Sequence, residues 1–220
     1  MKKILKVAFL LDKKNSWISK FINKKDFKDL KRFSFKKFFK PSQAKGCEIV
    51  LILGYTKILN SSFLKSVKYP LVVHESNLPV GRGFSPIQWQ ILKKKSNITA
   101  CLIHINERVD AGKIILKDKI KFNGTELNSE IRKKQADITI KLIRNFLKKF
   151  PKITYKEQKG EATYFKKRTP KDSQLKINQS IKSQFNLLRI CDNNDYPAYF
   201  IFKKKKYILR IFKEKKNVKK

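Results

Sequence analysis

At 220 residues, with 41% hydrophobic and 12% aromatic side chains, the chain can bury one good-sized core plus a small appendage, and it is not a charged disordered polymer. Its formal net charge of +37 rests on 46 lysines against 8 arginines, a split that A/T-rich codons produce and that does not look tuned to phosphate by the bidentate guanidinium fork, although so positive a field still attracts nucleotides, phosphates or tRNA. Cys47, Cys101 and Cys191 form no C-x-x-C pair and the two histidines lie far apart, so no disulfide framework and no metal site are expected and a reducing cytoplasm is the natural compartment.

The first residues, Lys2-Lys3 and an apolar run, superficially resemble a secretion signal. The run is short, Lys6 interrupts it, and Asp12-Lys13-Lys14 stands where a small-residue cleavage site belongs. Residues 7–11 read instead as a strand buried on both faces. A helix is predicted around 16–21. Residues 26–45 are so rich in Lys and Phe that no element can be placed there. A second buried strand is predicted at 49–53, ending at Gly54, then a helix at 61–67. A third strand at 71–73 delivers His74 at its carboxyl end. Ser85 as N-cap and Pro86 at the first position open a short helix, with Ile87 and Ile91 sharing a face. Strands at 98–105 and 114–120 follow. The longest helix should run from about 126 to 149, capped by Thr125, with Ile138, Leu142 and Phe146 repeating every four residues and Pro151 stopping it. No apolar run approaches the 18 residues of a membrane span, so no membrane partner is expected.

After Pro151 the texture changes. Residues 152–171 are polar and loop-like, 180–190 read as a helix with Ile181, Phe185 and Leu188 on one face, and 198–202 with 207–211 read as a hairpin joined by 203–206. From Lys203 to Lys220 the net charge is +9, the pattern of a solvated, frayed tail or of a nucleic-acid anchor. Strands alternating with helices give an α/β fold, a Rossmann-like, mainly parallel sheet with helices on both faces, plus a small, mostly β carboxyl-terminal subdomain. The expected domains are 1–150 and 151–220. In such sheets ligands bind beyond the carboxyl ends of the strands.

His74 stands at one of those ends, and Asp110 follows 36 positions later in Val109-Asp110-Ala111-Gly112. A carboxylate reached through a later strand and loop could hold the imidazole and favour its charged form, as acyl-type transfer chemistry requires. The plainer readings are a strand-end histidine satisfied by backbone and a turn aspartate. Glu75 alternates to the opposite strand face and reads as structural, and His104, between Ile103 and Ile105, reads as a core or pocket-wall residue. Gly81 and Gly83 lack the third glycine of a dinucleotide fingerprint and suit a loop passing close to a ligand.

The run His74-Glu75-Ser76-Asn77-Leu78-Pro79, then Arg82-Gly83-x-x-Pro86-Ile87-Gln88-Trp89, then Asp110-x-Gly112, resembles the folate-dependent formyltransferase family. The likeness continues through Gly54-Tyr55-x-x-Ile58-Leu59, the long helix, Gly160-Glu161-Ala162-Thr163-Tyr164 and Arg168-Thr169-Pro170-Lys171-Asp172, so it covers most of the chain. The resemblance implies transfer of a formyl group from 10-formyltetrahydrofolate to a primary amine. His74 would stabilise the oxyanion and donate a proton, and Asp110 would orient His74 and help deprotonate the amine. It also implies a folate site at Tyr55, Arg82, Gly83, Phe84, Pro86 and Val109. The family carries Asn two residues before the histidine, where this chain has Val72, so Asn77 is the expected replacement donor, with Ser76 or a backbone N–H as the other options. The implied acceptor is the amino group of a nucleotide-linked sugar, favoured by the short carboxyl-terminal part and by the Glu-Ser-Asn wording after His74. Charged initiator tRNA is the alternative. A further reading, resting on Val72, is a basic nucleotide- or RNA-binding module that has lost turnover. The resemblance leaves room for a homodimer.

Overall fold

The structure, a computed structural model, describes residues 3–12 and 17–214. Among these residues six strands form one sheet in the order β2-β1-β3-β4-β6-β7: β1 (Leu5–Leu11), β2 (Phe33–Phe38), β3 (Ile49–Leu53), β4 (Tyr69–His74), β6 (Asn97–His104) and β7 (Lys113–Lys121). The β2-β1, β1-β3 and β3-β4 pairings are parallel, and β4-β6 and β6-β7 are antiparallel. The sheet is therefore mostly parallel, with an antiparallel extension on one side.

The apolar runs at β1 and β3 occupy the centre, as strands buried on both faces must. The run that mimics a secretion signal is strand β1. The Lys- and Phe-rich stretch holds edge strand β2. Phe35 stacks on Phe9 at 5.7 Å and on Phe27 at 4.9 Å, while Ser34 and Lys36 stay exposed. The alternation is that of a one-sided strand, disguised because lysine supplies so many of the outward positions.

One face is covered by α3 (Asn128–Lys149) and α2 (Pro86–Leu92), whose Ile138, Leu142, Phe146, Ile87 and Ile91 join Phe9, Leu51, Leu71 and Leu102 in the main core. The other face carries α1 (Ser61–Ser66), where Phe63 packs on Ala8, Leu10, Val50 and Ile52. Helices thus lie on both faces.

Four local expectations need correction. The described part of the first predicted helix is only a 3₁₀ turn at Trp17–Lys20, and Ser16 lies outside the described residues. Thr125 does not cap α3. The N-cap is Leu127, whose N–H donates to Glu130 at 2.8 Å, while Thr125 turns back onto Asn123. Ser85 precedes α2 as expected, but at φ 50° its hydroxyl makes no capping bond. In α4 (Ile181–Ile190) Phe185 and Leu188 pack into one cluster as expected, but Ile181 stays exposed and the buried residues gather in the last turn.

The hairpin β9 (Ala198–Phe202) and β10 (Lys205–Leu209) turns through Lys203 and Lys204, both at positive φ, so β10 starts two residues earlier than expected. Such a turn suits the strand twist but is unusual without glycine or asparagine. The tail expected beyond it lies partly in residues 215–220, outside the described residues.

Residues 152–171 are not a simple connector. Lys156 exchanges two backbone bonds of 2.8 Å with Ile114 on β7, and β8 (Tyr164–Phe165) pairs in parallel with β5 (Arg82–Gly83). No helix among the described residues is long and apolar enough to cross a membrane.

Glu126, only 3% exposed, binds the carboxyl-terminal segment to the sheet. It accepts the N–H groups of Asn123 and Gly124, the ammonium of Lys134 and the guanidinium of Arg189 at 3.6 Å. Burial alone would push this carboxyl up, but the lysine and the backbone donors outweigh it and hold the pKa at about 2, against 4.5. The stabilisation is therefore present above pH 4.5 and is lost as pH falls from 4.5 through about 2. Glu126→Gln should cost on the order of 3 kcal/mol in urea unfolding at pH 7. The gap between the two proteins should close as the titration approaches pH 2, and an equal gap at both ends would refute this account.

Candidate active site

β4 alternates its side chains across the sheet. Leu71 and Val73 enter the main core, whereas Val72 packs with Leu78, Cys101, Ile103 and Ile114 on the opposite side. His74 shares the Val72 side by the period of two and is buried at the carboxyl end of the strand. Its Nε2 faces the Gly81 carbonyl at 2.7 Å, so this nitrogen carries the hydrogen and donates it. Its Nδ1 lies 3.4 Å from Oδ2 of Asp110.

Asp110 is reached through the β6–β7 loop. It adopts φ 51°, a left-handed conformation that aspartate tolerates better than most residues. The same Oδ2 accepts the Gly83 N–H at 2.8 Å. From behind, the Gln158 amide donates to the carbonyls of Asp110 and Gly112, both at 2.8 Å. Gln158 is itself gripped by Arg82, through Nε at 3.2 Å and Nη2 at 2.7 Å. Thr163 accepts the Gly81 N–H through its hydroxyl at 2.8 Å. Gln158 and Thr163 were not anticipated as site residues. The only hint in the sequence was the Gly160-to-Tyr164 stretch of the family likeness.

His74 and Asp110 open onto a cleft of about 1390 Å³. Of the residues expected at a folate site, Tyr55, Gly83, Phe84, Pro86 and Val109 line it with them. Phe84 and Val109 are exposed, as is Ile58 on the same cleft at 90%. Arg82 stands apart, lining a separate hollow with Asn106 and Arg108, its guanidinium committed to Gln158 and over the Tyr164 ring. The close approach that Gly81 and Gly83 permit is to the chain itself. A β-carbon at either would meet Phe165 at 2.5 Å.

Asn77 is not brought to the pair. It is exposed, and its Oδ1 accepts a bond from Lys117 on β7 at 2.9 Å. Ser76 is buried with no partner for its hydroxyl among the described residues, and it does not line the cleft. His104 bonds the Lys68 carbonyl and meets Tyr155 edge-on; it is half-buried and lines neither the cleft nor the hollow beside Arg82, so it is not the core or pocket-wall residue expected. Glu75 is buried, accepting from Gln135 at 2.7 Å, and burial pushes its carboxyl up. Among the described residues no group of His, Cys, Asp and Glu could hold a metal ion.

The structure thus sets a histidine–carboxylate pair beyond the carboxyl ends of a mostly parallel sheet, open to a large cleft. Residues 6–147 match the formyl transferase family, and the chain belongs to it. The methionyl-tRNA formyltransferase of Thermodesulfovibrio yellowstonii is 30% identical over 155 residues, 69% of this chain and 50% of that protein. The chain thus spans about half the length of that curated relative. Among solved structures, methionyl-tRNA formyltransferase from Clostridium thermocellum superposes with a TM-score of 0.79 at 20% identity, covering 97% of this chain and 95% of that one. A 4-N formyltransferase from Francisella tularensis gives 0.70 at 17% identity, with 96% and 99% covered. HypX from Aquifex aeolicus in complex with tetrahydrofolic acid gives 0.72 at 14% identity, with 94% and 37% covered.

Gly112 tests the clamp. A β-carbon there would sit 1.9 Å from the His104 carbonyl oxygen, so the loop carrying Asp110 would have to move. Gly112→Ala should lower stability by roughly 1–3 kcal/mol and remove the His74–Asp110 contact. A histidine NMR titration identical to wild type would contradict this.

Proposed function

We propose that this protein is a 10-formyltetrahydrofolate-dependent N-formyltransferase whose acceptor is the amino group of a nucleotide-linked amino sugar. The observation that carries the reading is the His74–Asp110 pair, held at 3.4 Å and open to the cleft. The co-substrate, when bound, supplies an electrophilic formyl carbon. The residues present fit such a group. Ile58, Phe84 and Val109 leave apolar surface in water beside the pair, surface that a flat, largely apolar ligand would cover. Its volume of about 1390 Å³ exceeds the ~300–1,000 Å³ of a typical one-ligand pocket, which favours two ligands side by side.

In this reading His74 Nε2–H is the proton donor to the developing oxyanion, released to the cleft when the Gly81 carbonyl gives way. Asp110 fixes the ring through Nδ1 and helps take the proton that the attacking amine loses as its nitrogen bonds the formyl carbon. Residues 1–150 form the catalytic domain, and the 151–220 subdomain contributes Gln158 and Thr163 to it. Charged initiator tRNA remains a second acceptor because the +37 charge suits a polyanion.

Tetrahydrofolate release measured against a panel of amines decides among these readings. His74→Ala and Asp110→Asn should each lower turnover by about 10²–10⁴. Activity with a dTDP-linked 4-amino sugar and none with charged tRNA is the expected outcome. The reverse would assign the tRNA role, and no release with any amine would leave a binding module. Val72→Asn should raise turnover by at least roughly tenfold, since an oxyanion donor is worth about 10²–10³ where one is missing. A loss on that substitution would show that the donor is supplied elsewhere.

A further inference from the structure

Five polar side chains on the α2–α3 side of the sheet are nearly buried: Glu75, Gln88, Gln90, Gln135 and Thr139. Four are accounted for. Gln90 donates to the carbonyls of Glu75 and Pro86, at 2.7 and 3.0 Å. Gln135 donates to Glu75 and accepts from Arg132 at 2.9 Å, and Thr139 donates to the Gln135 carbonyl at 2.8 Å. Gln88 is the exception. It is 3% exposed and lines the cleft, yet among the described residues its side-chain amide has no hydrogen-bond partner.

Among the described residues the fully enclosed side-chain atoms without a partner are Ser76 Oγ and Arg168 Nε, so the Gln88 amide, with no protein partner, opens to the cleft, where water or a ligand must serve it. Here the backbone gives it no freedom to turn away. Ile87 and Ile91 bury one side of α2 in the main core, Trp89 donates to the Lys166 carbonyl at 2.8 Å, and Gln90 holds the helix against residue 75. The helix that carries the amide is therefore held in place, and Gln88 lines the same cleft as His74.

We propose that Gln88 is a ligand-binding residue that takes a neutral group carrying a hydrogen-bond donor and acceptor side by side. The inference rests on the formyl-transfer reading for its choice of ligands. A carboxamide offers an acceptor and two donors side by side and no charge, so an amide-like edge or a hydroxyl uses both of its sides, whereas a phosphate would use only its N–H groups. The nearest charged side chains on this wall, Glu75 and Arg132, bond Gln135 and not Gln88. Two molecules could present such an edge, namely the bicyclic head of the folate or the base of a nucleotide-linked acceptor.

Gln88→Met keeps the length of the side chain and removes the amide. Calorimetric titration with tetrahydrofolate, dTDP and UDP separates the sources without depending on turnover. The expected result is a loss of at least tenfold in affinity for one class of probe and less than twofold for the other. The class that weakens identifies the group. The ligand-free variant should melt no lower than wild type, because no internal bond has been removed. A lower melting temperature would mean that the amide serves the fold, and unchanged affinity for every probe, or no binding of any probe to wild type, would overturn the proposal. Loss of formyl transfer in His74→Ala with tetrahydrofolate binding retained tests the underlying reading separately.

Discussion

Three segments of the chain meet at Asp110, two of them on one carboxylate oxygen. Oδ2 of Asp110 faces Nδ1 of His74 at the end of β4 and accepts the N–H of Gly83 in β5, while the peptide of Asp110 itself is held by Gln158 from beyond the long helix. Remove that oxygen and the strand end, the glycine loop and the β6–β7 loop lose their common point. The arrangement also explains why particular residues carry the backbone here. Gly112 has no room for a side chain beneath the His104 carbonyl, and Gly83 has none against the Phe165 carbonyl. The glycines make close backbone packing possible, and that packing aims the carboxylate.

What could be read from the sequence divides along physical lines. Strands β1 and β3 were legible because a strand buried on both faces must be apolar at every position, and α3 because its apolar residues repeat over six turns. β2 was hidden, since its phenylalanines alternate with lysines inside a stretch saturated with both. The caps failed for a different reason. Thr125 and Ser85 have the right chemistry, but Asn123 takes the first and a left-handed backbone turns the second away. Capping depends on local dihedrals that composition does not report.

The site shows the same split. His74 stands at the end of β4 and Asp110 in the loop between β6 and β7, so the topology of the sheet brings them near each other. Asn77 lies in a loop, where no periodicity fixes side-chain direction, and it is drawn outward to Lys117. Gln158 escaped notice because it sits in a polar stretch with the composition of a linker. Its order comes from partners elsewhere: Lys156 on Ile114, Arg82 on Gln158 itself, Thr163 on Gly81. A polar segment is disordered only when such partners are missing.

The state of Nε2 bears on how Val72 can be tolerated. Nε2–H is spent on the Gly81 carbonyl, a hydrogen bond whose net worth is about 0.5–1.5 kcal/mol. Exchanging that acceptor for one on a ligand is close to break-even, so the imidazole can be recruited at little cost once the β5 loop yields. Val72 contributes no polar group on that side of β4, and the strand face around His74 is otherwise apolar, formed by Leu78, Cys101 and Ile103. Low local polarity strengthens whatever hydrogen bond His74 does make. Nε2, with Asp110 behind the ring, is then the one polar donor that β4 offers to a ligand from this face, and the proposed chemistry depends on how readily Gly81 releases it.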